Sequence, residues 1–464
     1  MRSILAAAAA GLLAVAVAHP AEADGTAEDL LARDILRELV EINTTDAAGD
    51  NTRAAEAMAA RLRAAGFPAE DVQVLAPAPR KGNLVARLRG TGSRPPLLLL
   101  AHLDVVEARR EDWSVDPFVF LEQDGYYWGR GTTDDKAMAA LFMANLIRYR
   151  REGFRPERDL VLALTADEEG GDHNGVAWLL ESHRALIDAA YGLNEGGRGL
   201  MREGRPLANQ VQASEKVYVS FALEARSPGG HSSLPVRDNA IYHLAEGLTR
   251  LAGFDFPAQL SEVTRAYFQR ISSVEGGPVA ADMKAAVATP SDPDAVARLS
   301  RSAFYNAMMR TTCVATRLEA GHADNALPQT ARAVVNCRVL PGEPVEAVRE
   351  TLVRVLAAPR ITVAMVGEFK PSPPSPLRPD VLRAIERVTE LLWPRVPVVP
   401  IMGTGATDSL YLRGAGIPMY GVSGLFGDID DVRAHGRDER IGIRAFQDGR
   451  EFLYQLVREL SSSH

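Results

Sequence analysis

Cysteine is almost absent from this chain: Cys313 and Cys337 are the only two in 464 residues. Two thiols are too few for a disulfide scaffold and too few for a thiolate zinc site. No block of Lys or Arg occurs either, and the formal net charge is -8. That combination argues against nucleic acid as a partner. Beyond the N-terminal segment no apolar run is long enough to cross a bilayer, so stable membrane association is not expected. Internal repeats and sustained heptads are missing as well, which excludes solenoid and coiled-coil architectures.

The first residues, MRSILAAAAAGLLAVAVAHPAEA, hold Arg2, an apolar stretch from Ile4 to Ala18 and a small-x-small site at Ala21-Glu22-Ala23. The stretch falls short of the roughly 20 residues a membrane helix needs. Residues 1–23 are therefore expected to be a secretory signal removed before Asp24, and the protein to be exported, periplasmic or secreted. An oxidising destination permits one bridge between Cys313 and Cys337. Two buried thiols are an equal alternative.

The remainder has ordinary globular composition, 46% hydrophobic and 24% charged, and enough length for two domains. From residue 24 to 213, helical patterns such as AEDLLARDILRELVEI alternate with short apolar runs, GNLVARLRG, PPLLLLAHLD and RDLVLALTAD. Strands separated by helices predict an α/β sheet, parallel or mixed and covered on both faces, with chemistry at the carboxyl ends of its strands. From 214 to 366 the order becomes strand, helix, strand, strand, helix, strand, a ferredoxin-like α+β unit inserted into the first domain. Residues 255–305 read as an elaboration of that unit. Residues 367–464 return to the first domain.

The run LALTADEEGGDHNG begins like a buried strand and ends in Asp167, Glu168 and Glu169. Adjacent like charges destabilise a strand end unless something positive sits among them. A metal ion is the candidate. In AHLDVV, His102 and Asp104 stand two apart on extended backbone and project to the same side. A carboxylate placed there can accept the second ring N–H of a ligating imidazole. WGRGTTDDKA places Asp134 in a glycine-flanked loop ahead of a helix. Taken singly, each residue has a plain alternative: a structural histidine, a solvated acidic edge, a charge at a helix N-terminus. Imidazole and carboxylate together suit zinc, and also manganese or cobalt.

The ordered set AHLDVV, GRGTTDDKA, DEEGG, NEGG, PGGHSSLP and HGRDER resembles the M20 family of dinuclear metallopeptidases and acylases. The resemblance spans nearly the whole chain beyond the expected signal. It implies an αβα sandwich catalytic domain with an inserted ferredoxin-like lid or dimerisation domain. It implies two divalent metal ions, most simply Zn2+. Asp134 would bridge them, with His102 and Glu195 completing one site and Glu169 and His435 the other. Glu168 would be the general base and Asp104 the support of His102, with a cis peptide at Asp134-Asp135. It also implies that His231 stabilises the oxyanion, commonly across a homodimer formed through the inserted domain, although the 255–305 segment departs from the smaller dimeric members. Asn325, Arg338, Gly405, Thr407 and Asp408 match positions that contact substrate, and could equally be turn chemistry. The implied reaction is hydrolysis of an amide in a small peptide or N-acyl amino acid with a free carboxylate. A related aminopeptidase, or an exported binding protein using the same cleft without turnover, are the alternatives.

Overall fold

The computed structural model describes residues 25–462, so the expected signal lies outside the described residues. Thr26 opens the first helix, Ala27–Glu41, with a reciprocal capping box to Asp29. Strands Leu97–His102 and Leu160–Thr165 are buried at every position. Leu97, Leu99 and Ala101 join one apolar cluster with Leu160, Leu162 and Leu164. Leu98, Leu100, Val161 and Ala163 join another on the opposite face. Both faces are apolar because helices cover both, as a parallel strand between two helical layers requires. Helices Ala27–Glu41, Lys136–Arg151 and Ile443–Ser461 supply one layer. Gly175–Ser182 and Ser409–Gly414 supply the other.

The large sheet has ten strands. At its centre Leu160–Thr165, Leu97–His102, Tyr191–Asn194 and Met419–Gly421 run parallel, neighbour to neighbour. Their register matters for the site. His102 pairs with Thr165 and Leu97 with Tyr191. His102, the Asp167–Glu169 run and Glu195 therefore emerge at one carboxyl edge.

The lid is a βαββαβ unit. Its antiparallel sheet has the order Thr312–Ala320, Thr330–Val339, Val217–Arg226, Ile361–Val366. Helices Ala240–Ala252 and Val345–Leu356 pack on it, and Phe221, Val335, Leu244 and Leu352 help close a core of its own. Cys313 and Cys337 are directly paired across two of these strands. They form a disulfide with Cα atoms 4.1 Å apart, not a pair of free thiols. Changing both to serine is expected to cost about 2–4 kcal/mol. A denaturant midpoint that does not fall would contradict this.

Residues 255–305, expected to elaborate the inserted unit, instead cover the large domain. Helix Glu262–Glu275 places Val263, Tyr267, Phe268 and Ile271 in the large domain's core, with Val211, Val399 and Ile401. Arg270 fixes it there, donating to the Val398 carbonyl at 2.8 Å and pairing with Glu386 at 2.7 Å. An amphipathic pattern shows that a helix buries one face, but not against which domain. Among the described residues no helix is long and apolar enough to cross a membrane.

Candidate metal centre

Asp134 stands between two imidazoles. Its Oδ1 lies 3.1 Å from Nε2 of His102, and its Oδ2 lies 3.1 Å from Nε2 of His435. Oε1 of Glu195 is 3.9 Å from His102 Nε2, and Oε1 of Glu169 is 2.9 Å from His435 Nε2. The structure thus forms two donor groups, His102 with Asp134 and Glu195, and Asp134 with Glu169 and His435, each with its ligand atoms within 4.8 Å of one another. One shared carboxylate, with an imidazole and a further carboxylate on each side, is the donor chemistry of paired divalent cations.

The electrostatics fit the same reading. Burial pushes the Glu195 carboxyl well up, and Asp134 and Glu168 add to it. Burial likewise raises Glu168, with Asp408 and Glu169 reinforcing the effect against the pull of His102. Asp134 is the exception: burial raises it, but the hydrogen bonds of His102 and His435 hold it far below the ordinary carboxylate range. Among the described residues no Lys or Arg forms an ion pair with Glu168, Glu169, Glu195 or Asp134. Oε1 of Glu169 is buried with no hydrogen bond in spite of His435 nearby.

Neighbouring groups hold the donors in place. Nδ1 of His102 donates to the backbone carbonyl of Asp104 at 3.0 Å, which turns Nε2 toward Asp134. The Asp104 carboxylate, expected to support that imidazole, lies 3.6 Å from it. Its oxygens also accept the backbone N–H groups of Glu168 and Glu169 at 3.1 and 2.9 Å. Asp104 therefore positions both glutamates. The Asp134-Asp135 peptide is cis.

Asp167 is satisfied separately. Its Oδ1 accepts Lys81 Nζ at 2.6 Å, and its Oδ2 accepts the His173 N–H. Lys81 thus neutralises the third acid of the run. A Cβ on Gly171 would lie 2.4 Å from Oδ2 of Asp167, which explains why glycine follows the acids.

One important residue escaped the sequence reading. Glu439 is fully buried and accepts Arg130 at 2.7 Å, the N–H of Gly131 at 3.0 Å, and both the N–H and Oγ1 of Thr133. It also accepts the N–H of Asp134 at 3.2 Å. Its place four residues after His435, inside HGRDER, was the available signal.

The expected substrate residues divide. Arg338, Thr407 and Asp408 line a cavity of about 260 Å³ that also contains Glu168, Glu169 and Tyr218. Within it Thr407 is tied down, its N–H and Oγ1 both donating to Glu215 at 3.0 Å. Asp408 accepts Asn174 at 2.6 Å and Thr165 at 3.1 Å, and burial raises it to about 6. These two shape the wall, while Arg338 presents a free charge. Gly405 lines a second cavity. His231 and Asn325 are exposed on the small hairpin of the lid, where His231 Nδ1 accepts the N–H of Ser233 and the Asn325 carbonyl accepts that of Ser232. Neither lines either cavity, so within this chain the structure does not bring them to the centre.

Residues 98–459 match the peptidase family M20/M25/M40. The chain belongs to this family. N-fatty-acyl-amino acid synthase/hydrolase PM20D1 of Homo sapiens is 30% identical over 385 residues, covering 79% of this chain and 75% of that protein. Probable carboxypeptidase S-like 2 of Dictyostelium discoideum is 27% identical over 383 residues, covering 79% and 72%. Among solved structures, the M20 metallo-carboxypeptidase Sso-CP2 of Sulfolobus solfataricus superposes with a TM-score of 0.68 at 17% identity, over 92% of this chain and 98% of that one. Human carnosine dipeptidase 1 gives 0.59 at 17% identity, over 94% and 97%. The M20 fold of this chain is therefore a catalytic αβα domain carrying an inserted domain, and membership supports a metal-dependent amide hydrolase.

Proposed function

We propose that the protein is an exported dinuclear zinc hydrolase that cleaves the amide bond of an N-acyl amino acid or small peptide bearing a free carboxylate. The observation that carries this reading is the shared cavity of Glu168 and Arg338. Glu168 belongs to neither donor group, yet it stands next to Glu169 and faces the same space. Arg338 is half-buried over the Tyr218 ring at 4.8 Å. Burial lowers its guanidinium pKa, and among the described residues it forms no ion pair. A substrate carboxylate would satisfy it bidentately.

A pair of divalent cations held by His102, Asp134, Glu169, Glu195 and His435 would supply Lewis acidity, easing water deprotonation and polarising the scissile carbonyl. Glu168 takes the proton of the attacking water as its oxygen bonds to the carbonyl carbon. When the C–N bond breaks, Glu168 returns that proton to the departing nitrogen. Arg338 holds the carboxylate meanwhile and fixes the amide's orientation. The names of the human and Dictyostelium relatives support acyl-amino-acid and carboxypeptidase substrates. The Cys313–Cys337 disulfide supports export to an oxidising compartment. The exposed position of His231 supports a role reached by lid closure or in a homodimer.

The test is a screen of N-acyl amino acids and dipeptides with the zinc-loaded protein. Turnover is expected, with loss of all activity on chelation and recovery on returning zinc. A fully loaded protein that binds these compounds but turns over none would favour the binding-protein alternative.

A further inference from the structure

The segment that covers the large domain encloses a chamber. Between helix Glu262–Glu275, the short helix Ala303–Met309 and the large sheet lies a cavity of about 510 Å³. This is within the roughly 300–1,000 Å³ of pockets that bury a small ligand. Its lining is of two kinds. Tyr267, Ile271 and Phe304 on the helical side and Ile401 on the sheet are apolar, while Arg198, Arg202, Gln210, Gln212 and Glu275 are polar. Glu275 is occupied, accepting the Tyr305 hydroxyl at 2.9 Å. Two arginines against one glutamate make the lining net positive, in a chain whose formal net charge is -8.

Arg198 is the unmatched charge in this lining. It is half-buried, and among the described residues it forms no ion pair and its side chain no hydrogen bond. Burial lowers its pKa, and no carboxylate lies near enough to offset that. A charge drawn partly out of water without a partner is unfavourable, and an oxyanion that reaches it can bond both arms of the guanidinium. The backbone that carries Arg198 is held firmly. Its carbonyl accepts the Gln210 N–H at 3.0 Å. A Cβ on Gly197 would lie 2.1 Å from the Gly421 carbonyl oxygen, and one on Gly199 would lie 2.3 Å from the Phe426 ring. Glycine on both sides allows that close packing. Arg198, Leu200 and Arg202, alternate residues of one run, then line the chamber together.

The chamber adjoins the metal centre. Gly196, the residue after the donor Glu195, lines it. Arg198 follows Glu195 by three residues, which span at most about 10–11 Å of extended chain. The smaller cavity reaches the donors from another end, at Glu168 and Glu169. An amide has two substituents. If Arg338 holds the carboxylate of the amino-acid half in the smaller cavity, the acyl half points away from it. We propose that Arg198 binds a second carboxylate, carried on the acyl side of the scissile amide, and so selects substrates whose acyl half is acidic. Such a substrate is an amino acid acylated by a short dicarboxylic acid, or a dipeptide that begins with Asp or Glu. The apolar helical side of the chamber receives the methylenes between that carboxylate and the amide. This rests on the amide-hydrolase reading above and adds the charge of the acyl half and the residue that reads it.

The test compares N-succinyl-leucine with N-butanoyl-leucine, its neutral equivalent of the same acyl length, on the zinc-loaded protein. Wild-type kcat/KM is expected to favour the succinyl substrate by about tenfold or more, the effect of a hydrogen bond to a charged group. Arg198→Gln is expected to bring that ratio to within about twofold of unity. Arg198→Lys, which keeps the charge but loses the planar fork, should retain part of the preference. The wild-type comparison stands by itself should R198Q not fold. Glu-Leu against Gln-Leu separates the two sources of the carboxylate: a matching preference there assigns the site to acidic peptides as well, and a preference confined to N-succinyl-leucine assigns it to acylated amino acids. Calorimetric binding of N-succinyl-leucine to the Glu168→Gln protein is a readout without turnover, and adding R198Q is expected to weaken it about tenfold. Equal or better wild-type turnover of both neutral substrates, or a succinyl-to-butanoyl ratio unchanged in R198Q, would overturn the proposal. Failure to hydrolyse any N-acyl amino acid or dipeptide, with N-succinyl-leucine binding still weakened by R198Q, would instead sink the amide-hydrolase reading and leave the carboxylate site standing.

Discussion

Glutamine at position 168 is expected to lower kcat by roughly 10²–10⁴-fold, the range that a positioned general acid and base contributes. Glu168→Gln keeps the shape of the side chain and its backbone hydrogen bond to Asp104 but removes the proton acceptor. Because Glu168 belongs to neither donor group, zinc content should remain at the wild-type level. KM should change little, since the carboxylate of the substrate is assigned to Arg338. The same loss accompanied by departure of metal would make Glu168 a ligand instead, and full activity would remove it from the chemistry altogether.

Glu439→Ala is expected to be the most damaging change outside the donor set. Glu439 and Arg130 are both essentially inaccessible to solvent. Removing one partner of such a pair strands the other charge, at about 3–5 kcal/mol. Three backbone N–H groups, of Gly131, Thr133 and Asp134, would lose their acceptor in the same step. The loop that presents Asp134 to both imidazoles would then be free to shift. Zinc affinity is expected to fall about 10–100-fold, as for other groups that orient a ligand. Glu439→Gln, which retains an acceptor oxygen, should recover part of the metal affinity. Equal metal affinity in wild type and E439A, with only the melting temperature reduced, would reduce Glu439 to a purely structural role.

Much of the centre was legible because its donors sit at strand ends. His102 closes one apolar run, Glu168 and Glu169 close another, and Glu195 closes a third. Parallel register then brings sequence-distant ends to one level. The lid was legible from its change of order, since strand and helix periods differ. What stayed hidden depended on tertiary pairing. The sequence places a helix at 262–275 but not its partner, and the chamber exists only because that partner is the large sheet. Asp104 was read beside His102 because they are two apart on a strand, yet its carboxylate reaches across to the chain at 168 and 169. Thr407 and Asp408 carry the right groups for substrate contact, but buried acceptors and donors of their own domain claim them. Glu439 lies inside HGRDER, but the motif alone does not show that Glu439 is buried and accepts five hydrogen bonds while its neighbour Asp438 is only partly buried.

The central claim is that five scattered donors converge on two cations and leave Glu168 free beside them. Anomalous diffraction at the zinc edge from crystals of the zinc-loaded protein tests this most directly. Two peaks are expected, one among His102, Asp134 and Glu195 and one among Asp134, Glu169 and His435, with Glu168 bound to neither. A single peak, or zinc held elsewhere with these five side chains apart, would contradict it.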